Sequence, residues 1–221
     1  MKFNFITLFP ELLQSYFSAS ILGKAVENGK IEIEFLNPRD FTTDRHNRVD
    51  LSQIGGGAGM LMMTEPIEKA IASIPNRGKV IALSPVGKPF KQNDAKRLAK
   101  EENITFLSGR YEGFDERVIE NCDEVFSVGD FILTGGELPS LILCDAISRN
   151  VSGVLGNGES LNGESFENEL LESPNFTKPV SGVPSEYLNG NHAKIESLRF
   201  EMSKRKTQFF RPDLYNKIIR K

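Results

Sequence analysis

The chain has 221 residues, with 27 Lys and Arg against 30 Asp and Glu for a formal net charge of −3, and 39% of it is hydrophobic. That composition fits a globular protein with room for one large domain and a small second one, and it excludes a disordered or collagen-like chain. The longest uncharged stretch, Leu51 to Thr64, falls short of the roughly 20 apolar residues of a membrane span, and two cysteines (Cys122, Cys144) with two distant histidines (His46, His192) supply neither a disulfide framework nor a zinc site and suit a reducing, cytoplasmic setting.

Lys2 to Phe9 reads as a strand. Leu12, Leu13, Tyr16, Phe17, Leu22 and Ala25 then recur at helical spacing. Ile31 to Leu36 alternates as a strand, and Pro66 to Ile74 reads as a helix with proline in its first turn. Lys79 to Ser84 is a buried strand, followed by a polar helix around Asn93 to Glu102 and a strand at Ile104 to Ser108. A helix near Glu116 to Asn121, a strand at Glu124 to Ser127 and a helix from about Leu138 to Asn150 complete the alternation. The pattern predicts an α/β fold, a mostly parallel sheet covered by helices on both faces.

After Asn150 the composition changes. Residues 151–163 are rich in Gly, Asn and Ser and read as a flexible linker. The domain expectation is therefore 1–150, a linker over 151–163, and a second domain over 164–221. The stretch from His192 to Lys221 holds nine Lys and Arg against three acids, a net +6, so residues 1–191 carry −9. A near-neutral total hides a charge-polarised chain.

Three turn-rich segments follow the middle strands: Ser84 to Gly87, Gly109 to Gly113, and Val128 to Gly136. In an open α/β sheet, ligands bind beyond the carboxyl ends of the strands, and glycines there let backbone groups approach a flat ligand. The glycine run Gly55 to Gly59 lacks the following Lys-Ser/Thr of a phosphate-binding loop, so it reads either as a hinge or as a loop that closes over a substrate.

The segments Ile6-Thr7-Leu8-Phe9-Pro10, Asn37-Pro38-Arg39-Asp40-Phe41, Gly55 to Met60, Leu83-Ser84-Pro85, Gly109 to Arg117, Gly129 to Pro139, Gly190 to Ile195 and Arg211-Pro212-Asp213-Leu214 occur in this order along the chain. Together they resemble the bacterial tRNA (guanine-N1)-methyltransferase family, TrmD, of the SPOUT class. The resemblance implies a sheet threaded into a deep trefoil knot and a small α-helical C-terminal domain. It also implies an obligate homodimer and transfer of the methyl of S-adenosylmethionine, the cofactor, to N1 of guanine 37 of tRNA, with magnesium associated with activity.

Guanine N1 is protonated at neutral pH, so a base must remove its proton while a cation stabilises charge building on O6. The resemblance assigns the base to Glu164, in Glu164-Ser165-Phe166 where aspartate is the commoner residue, and the cation to Arg149. It places Pro85, Gly109, Glu112, Val128, Gly129, Asp130, Phe131, Ile132 and Leu133 around the cofactor, with Phe131 where tyrosine is frequent. The basic tail, through Lys194, Arg199, Lys204, Arg205, Lys206 and Arg211, is expected to track tRNA phosphates. No metal ligands are assigned. Two other readings stay open: a knotted methyltransferase acting on ribosomal RNA or a ribose 2′-hydroxyl, and a non-catalytic RNA-binding dimer.

Overall fold

Alternation along β1 (Lys2–Ile6) turns Phe3 and Phe5 to one face and Asn4 and Ile6 to the other, as the two-residue period of a strand requires. The remaining strands are β2 (Glu32–Leu36), the short β3 (Asp50–Ser52) and β4 (Met60–Met62), β5 (Lys79–Pro89), β6 (Asn103–Leu107) and β7 (Glu124–Ser127). The helices are α1 (Glu11–Gln14), α2 (Ser20–Glu27), α3 (Thr64–Ser73), α4 (Gln92–Leu98), α5 (Glu116–Glu120), α6 (Glu137–Ser148), α7 (His192–Phe210) and α8 (Pro212–Ile219). This computed structural model describes residues 1–161, 163–179 and 181–220. Asn162 of the expected linker, and Val180 and Lys221 of the expected second domain, lie outside the described residues.

Five strands form a parallel sheet in the order β2-β1-β6-β5-β7. On one face Phe3, Phe5, Ile81, Phe106 and Phe126 pack against Leu22, Leu98, Leu143 and Ile147 from α2, α4 and α6. Ile6, Val80, Ala82 and Leu107 on the other face meet Ile67, Ala70 and Val118 from α3 and α5. Register puts Phe5 beside both Phe35 and Phe106, with ring centroids 5.6 and 5.3 Å away.

Two local features differ from the sequence expectation. The helical run from Leu12 to Ala25 is broken into α1, a 3-10 turn (Ser15–Ser18) and α2, because Ala19 is extended and Ser20 takes a φ of 57°. Apolar spacing continues across such a break, so periodicity alone does not reveal it. Ser84 to Gly87 is a bulge inside β5, not a loop after it: β7 pairs with Leu83 through Phe126, and the same Phe126 then pairs with Lys88. A side chain at Gly87 would meet the Phe126 backbone at 2.6 Å, so only glycine lets the strand rejoin its neighbour there.

The chain divides into two compact units, Met1–Gly156 and Asn157–Lys221. The first extends beyond Asn150, since Val151 packs against its core and Val154 is buried in it. In the second, α7 and α8 follow 3-10 turns at Gly158–Leu161, Glu167–Glu169 and Ser185–Leu188.

Candidate functional site

At the carboxyl end of β5, β6 and β7 lies a cavity of about 360 Å³. Pro85 and Val86 from the β5 bulge, Gly109 to Phe114 after β6, and Val128 to Gly136 after β7 contribute most of its wall. Of the expected cofactor residues, Pro85, Gly109, Glu112, Val128, Gly129, Phe131, Ile132 and Leu133 line this cavity. Asp130 does not; it is exposed, at a turn where the Phe131 N–H donates to the Gly129 carbonyl at 3.0 Å.

Two glycines bring the walls together. The Gly136 N–H donates to the Gly109 carbonyl at 2.7 Å, and a Cβ on Gly136 would stand 2.5 Å from the Gly109 nitrogen. The start of α6 is then fixed by hydroxyls: Ser140 donates to the Gly136 carbonyl at 2.8 Å and lies 2.8 Å from the Ser108 hydroxyl.

The glycine run Gly55 to Gly59 forms the tip of the β3–β4 hairpin, with φ between 82° and 132° at Gly55, Gly56, Gly57 and Gly59. The hairpin is hooked to one wall of the cavity: Glu112 N–H donates to Met60 at 2.9 Å, and Met62 N–H to Gly113 at 2.9 Å. A Cβ at Gly59 would meet the Glu112 side chain at 2.5 Å.

The sequence reading missed a buried assembly beside the cavity. Glu137, 3% exposed, accepts a hydrogen bond from Thr7 Oγ1 at 2.8 Å, and its other oxygen lies 2.8 Å from Arg110 Nε. The Nε–H is not aimed at that oxygen, so the contact is an ion pair without hydrogen-bond alignment. The Arg110 guanidinium also lies 4.6 Å from the centre of the Phe9 ring and donates to Thr134 O at 3.3 Å. These residues come from Ile6 to Pro10, Gly109 to Arg117 and Gly129 to Pro139, so their recurrence as motifs was the available signal.

Arg149 caps the carboxyl end of α6, half-buried, with its N–H donating to Asp145 O at 3.1 Å. Glu164 belongs to the second unit and lines a cavity of about 640 Å³ with Glu167, Glu172, Glu196 and Arg199. The following backbone is unusual: Phe166, Asn168 and Glu169 all have positive φ, a conformation that non-glycine residues adopt at a cost of about 1–2 kcal/mol each. The returning chain is gripped by α7. The Leu171 N–H donates to Thr207 Oγ1 at 2.8 Å, Ser203 Oγ donates to the Leu171 carbonyl, and both hydroxyl residues are buried.

The basic residues of the tail differ in what surrounds them. Lys204 pairs with Glu201 at 3.0 Å, and Arg211 makes two contacts with Asp213, at 2.8 and 2.7 Å, that hold the Asp213 carboxyl down at about 2. Arg199 lines the acidic cavity and Lys194 sits exposed in the first turn of α7. Among the described residues no group of three or more His, Cys, Asp or Glu side chains could hold a metal ion, and no helix is long and apolar enough to cross a membrane.

Comparison with known proteins adds three findings. A family profile described as "tRNA (Guanine-1)-methyltransferase TrmD" matches residues 1–217. A protein named tRNA (guanine-N(1)-)-methyltransferase from Sulfurovum sp. (strain NBC37-1) is 59% identical over 99% of this chain and 100% of its own length. Proteins of the same name from Sulfurimonas denitrificans (58%, covering 96% of each chain) and Campylobacter fetus subsp. fetus (56%, covering 99% of this chain and 96% of its own) are similarly close.

Proposed function

The chain belongs to the TrmD family of tRNA (guanine-1)-methyltransferases, and we propose that it methylates N1 of guanine 37 of tRNA in the cytoplasm, with S-adenosylmethionine as donor. The observation that carries this reading is the cavity walled by the β5 bulge and by the loops that follow β6 and β7. Its residues fit the donor. The backbone approach of Gly109 and Gly136 leaves main-chain groups at the wall, Phe131, Ile132 and Leu133 offer apolar surface for a purine ring, and Glu112 and Glu116 supply negative charge for a cationic ligand. Its volume is that of a small-ligand pocket.

The bound donor supplies an electrophilic methyl group. The protein's own tasks are to present N1 in line with that methyl, remove its proton and balance the charge on O6. Glu164 accepts the N1 proton, and Arg149 faces O6. Both roles are our assignment, supported by the family resemblance of their motifs. The Arg110, Glu137 and Thr7 assembly serves as a rigid wall, because a partly buried guanidinium paired with a buried carboxylate cannot shift without leaving a charge uncompensated. Magnesium has no side-chain cluster among the described residues, and no step is assigned to it.

A trefoil knot and a homodimer complete the proposal. The knot is supported by the family to which the chain belongs. The dimer is supported by an exposed apolar face on which Leu12 and Tyr16 stand with Leu138 and Ile142 of α6, Tyr16 being hydrogen-bonded to Asp145. The second unit is proposed as the tRNA-binding part.

Methylation of tRNA transcripts carrying guanine or adenine at positions 36 and 37, with the product nucleoside identified by mass spectrometry, tests the function. Transfer only to guanine 37 is the expected result. Modification of a ribose, or of transcripts lacking that guanine, would overturn it.

A further inference from the structure

Along α7 aromatic and basic residues recur four apart, a spacing that places two side chains on one face of a helix. Phe200 is followed by Lys204, whose Nζ lies 4.3 Å from the ring centre. Arg205 is followed by Phe209, and Lys206 by Phe210. The last two pairs differ from their neighbours. Lys204 and Arg211 each pair with a carboxylate, Glu201 and Asp213, whereas Arg205 and Lys206 have no carboxylate partner among the described residues. One turn further on, Phe209 is 79% and Phe210 64% exposed, with their rings edge to face at 4.8 Å.

Two adjacent exposed phenylalanines on a polar helix are costly to hydrate and contribute nothing to a core. Two unpaired cations one turn before them give the patch a charge that an apolar protein partner would have to desolvate. A single-stranded nucleic acid satisfies both groups: its phosphates meet the cations, and its unstacked bases present flat faces to the rings. We propose that Arg205, Lys206, Phe209 and Phe210 form a binding site for unpaired nucleotides of the anticodon loop, the rings stacking on bases and the cations contacting the flanking phosphates.

The proposal rests on the tRNA reading given above and adds the nucleotide class and the residues that hold it. The site reads no sequence, because every base has a stackable face. It would hold the loop while guanine identity is decided elsewhere.

The test uses the full-length protein and a synthetic anticodon stem-loop with 2-aminopurine at successive loop positions, measured by fluorescence titration at several salt concentrations. Phe209→Ala with Phe210→Ala should weaken binding about tenfold or more, the order expected for a lost base–aromatic stack, and abolish the quenching of one loop position without changing the salt slope. Phe209→Tyr with Phe210→Tyr should restore both, and Phe209→Leu with Phe210→Leu should not. Arg205→Ala with Lys206→Ala should instead flatten the slope of log affinity against log salt by about 1.4, the value for two phosphates of a single strand.

Unchanged binding in the double alanine variant overturns the proposal, as does equal rescue by leucine, which would mark a merely apolar contact. A change in oligomeric state on sedimentation would assign the rings to a second copy of the chain and overturn it too. Because binding is read without methyl transfer, a parent protein that binds the stem-loop through these rings but fails to methylate guanine 37 would defeat the proposed reaction and leave this site standing.

Discussion

In Met1–Gly156 the enclosed side chains are largely aromatic and aliphatic, with Phe3, Phe5, Phe106 and Phe126 fully buried, whereas in Asn157–Lys221 the buried side chains among the described residues are Ser173, Ser203 and Thr207. The first unit gains its stability from apolar area removed from water, which is non-directional and large. The second depends on directional contacts, a hydroxyl on each side of the Leu171 peptide, each worth about 1 kcal/mol net. A cofactor cavity suits the first kind of support because its walls must stay in place. The RNA-binding role proposed for the second unit suits the second, since each small term can be exchanged for a contact with the partner.

The sharpest way to break this division is Glu164→Gln. Loss of the proposed base should lower single-turnover methylation by about 10²- to 10⁴-fold, with S-adenosylmethionine affinity in calorimetry within twofold of the parent. Lost cofactor binding would mean that the second unit shapes the first unit's site. Next in size, Phe106→Ala should cost the first unit about 3–5 kcal/mol in denaturant unfolding. A cost below 1 kcal/mol would place its stability elsewhere.

Thr207→Val carries the same question into the second unit. It strands the partly buried Leu171 N–H, so exchange protection there should fall by an amount equivalent to about 1–3 kcal/mol, while Thr207→Ser should keep it. The smallest effect concerns Asp115, which caps α5, accepts from the Arg117 N–H at 3.0 Å and pairs with its guanidinium at 2.7 Å. Those contacts lower its carboxyl from the usual range to about 2. A depressed folded-state value means stability that is complete above the unfolded value near 4 and lost as pH falls through 2. The melting difference between the parent and Asp115→Asn should therefore be constant from pH 8 to 5 and shrink toward pH 2; a constant difference down to pH 2 would show that the carboxylate charge contributes nothing.

Much of the first unit was legible because a strand's period of two is written in adjacent residues, as in Phe3, Phe5 and Phe106. The three cavity segments were legible for a related reason, since glycine needed for close approach is itself a sequence mark. The break at Ala19 and Ser20 was not, because it changes backbone angles without changing apolar spacing. Nor was the pairing of Arg110 with Glu137, which needs the loops after β6 and β7 to meet.

The sequence by itself determined the alternating elements, the charge split between residues 1–191 and the tail, and the family, since these depend on residue types and their order. Only the tertiary structure decided that Ser84 to Gly87 bulges within β5, that Asp130 stands outside the cavity, that Thr7 supports Glu137, and that Lys204 and Arg211 pair with carboxylates while Arg205 and Lys206 have no carboxylate partner among the described residues. The physical reason is the same in each case. A residue's type fixes which contacts it can make, but burial, ion pairing and a ligand-facing position belong to pairs of segments distant along the chain or turned toward each other by a particular backbone conformation.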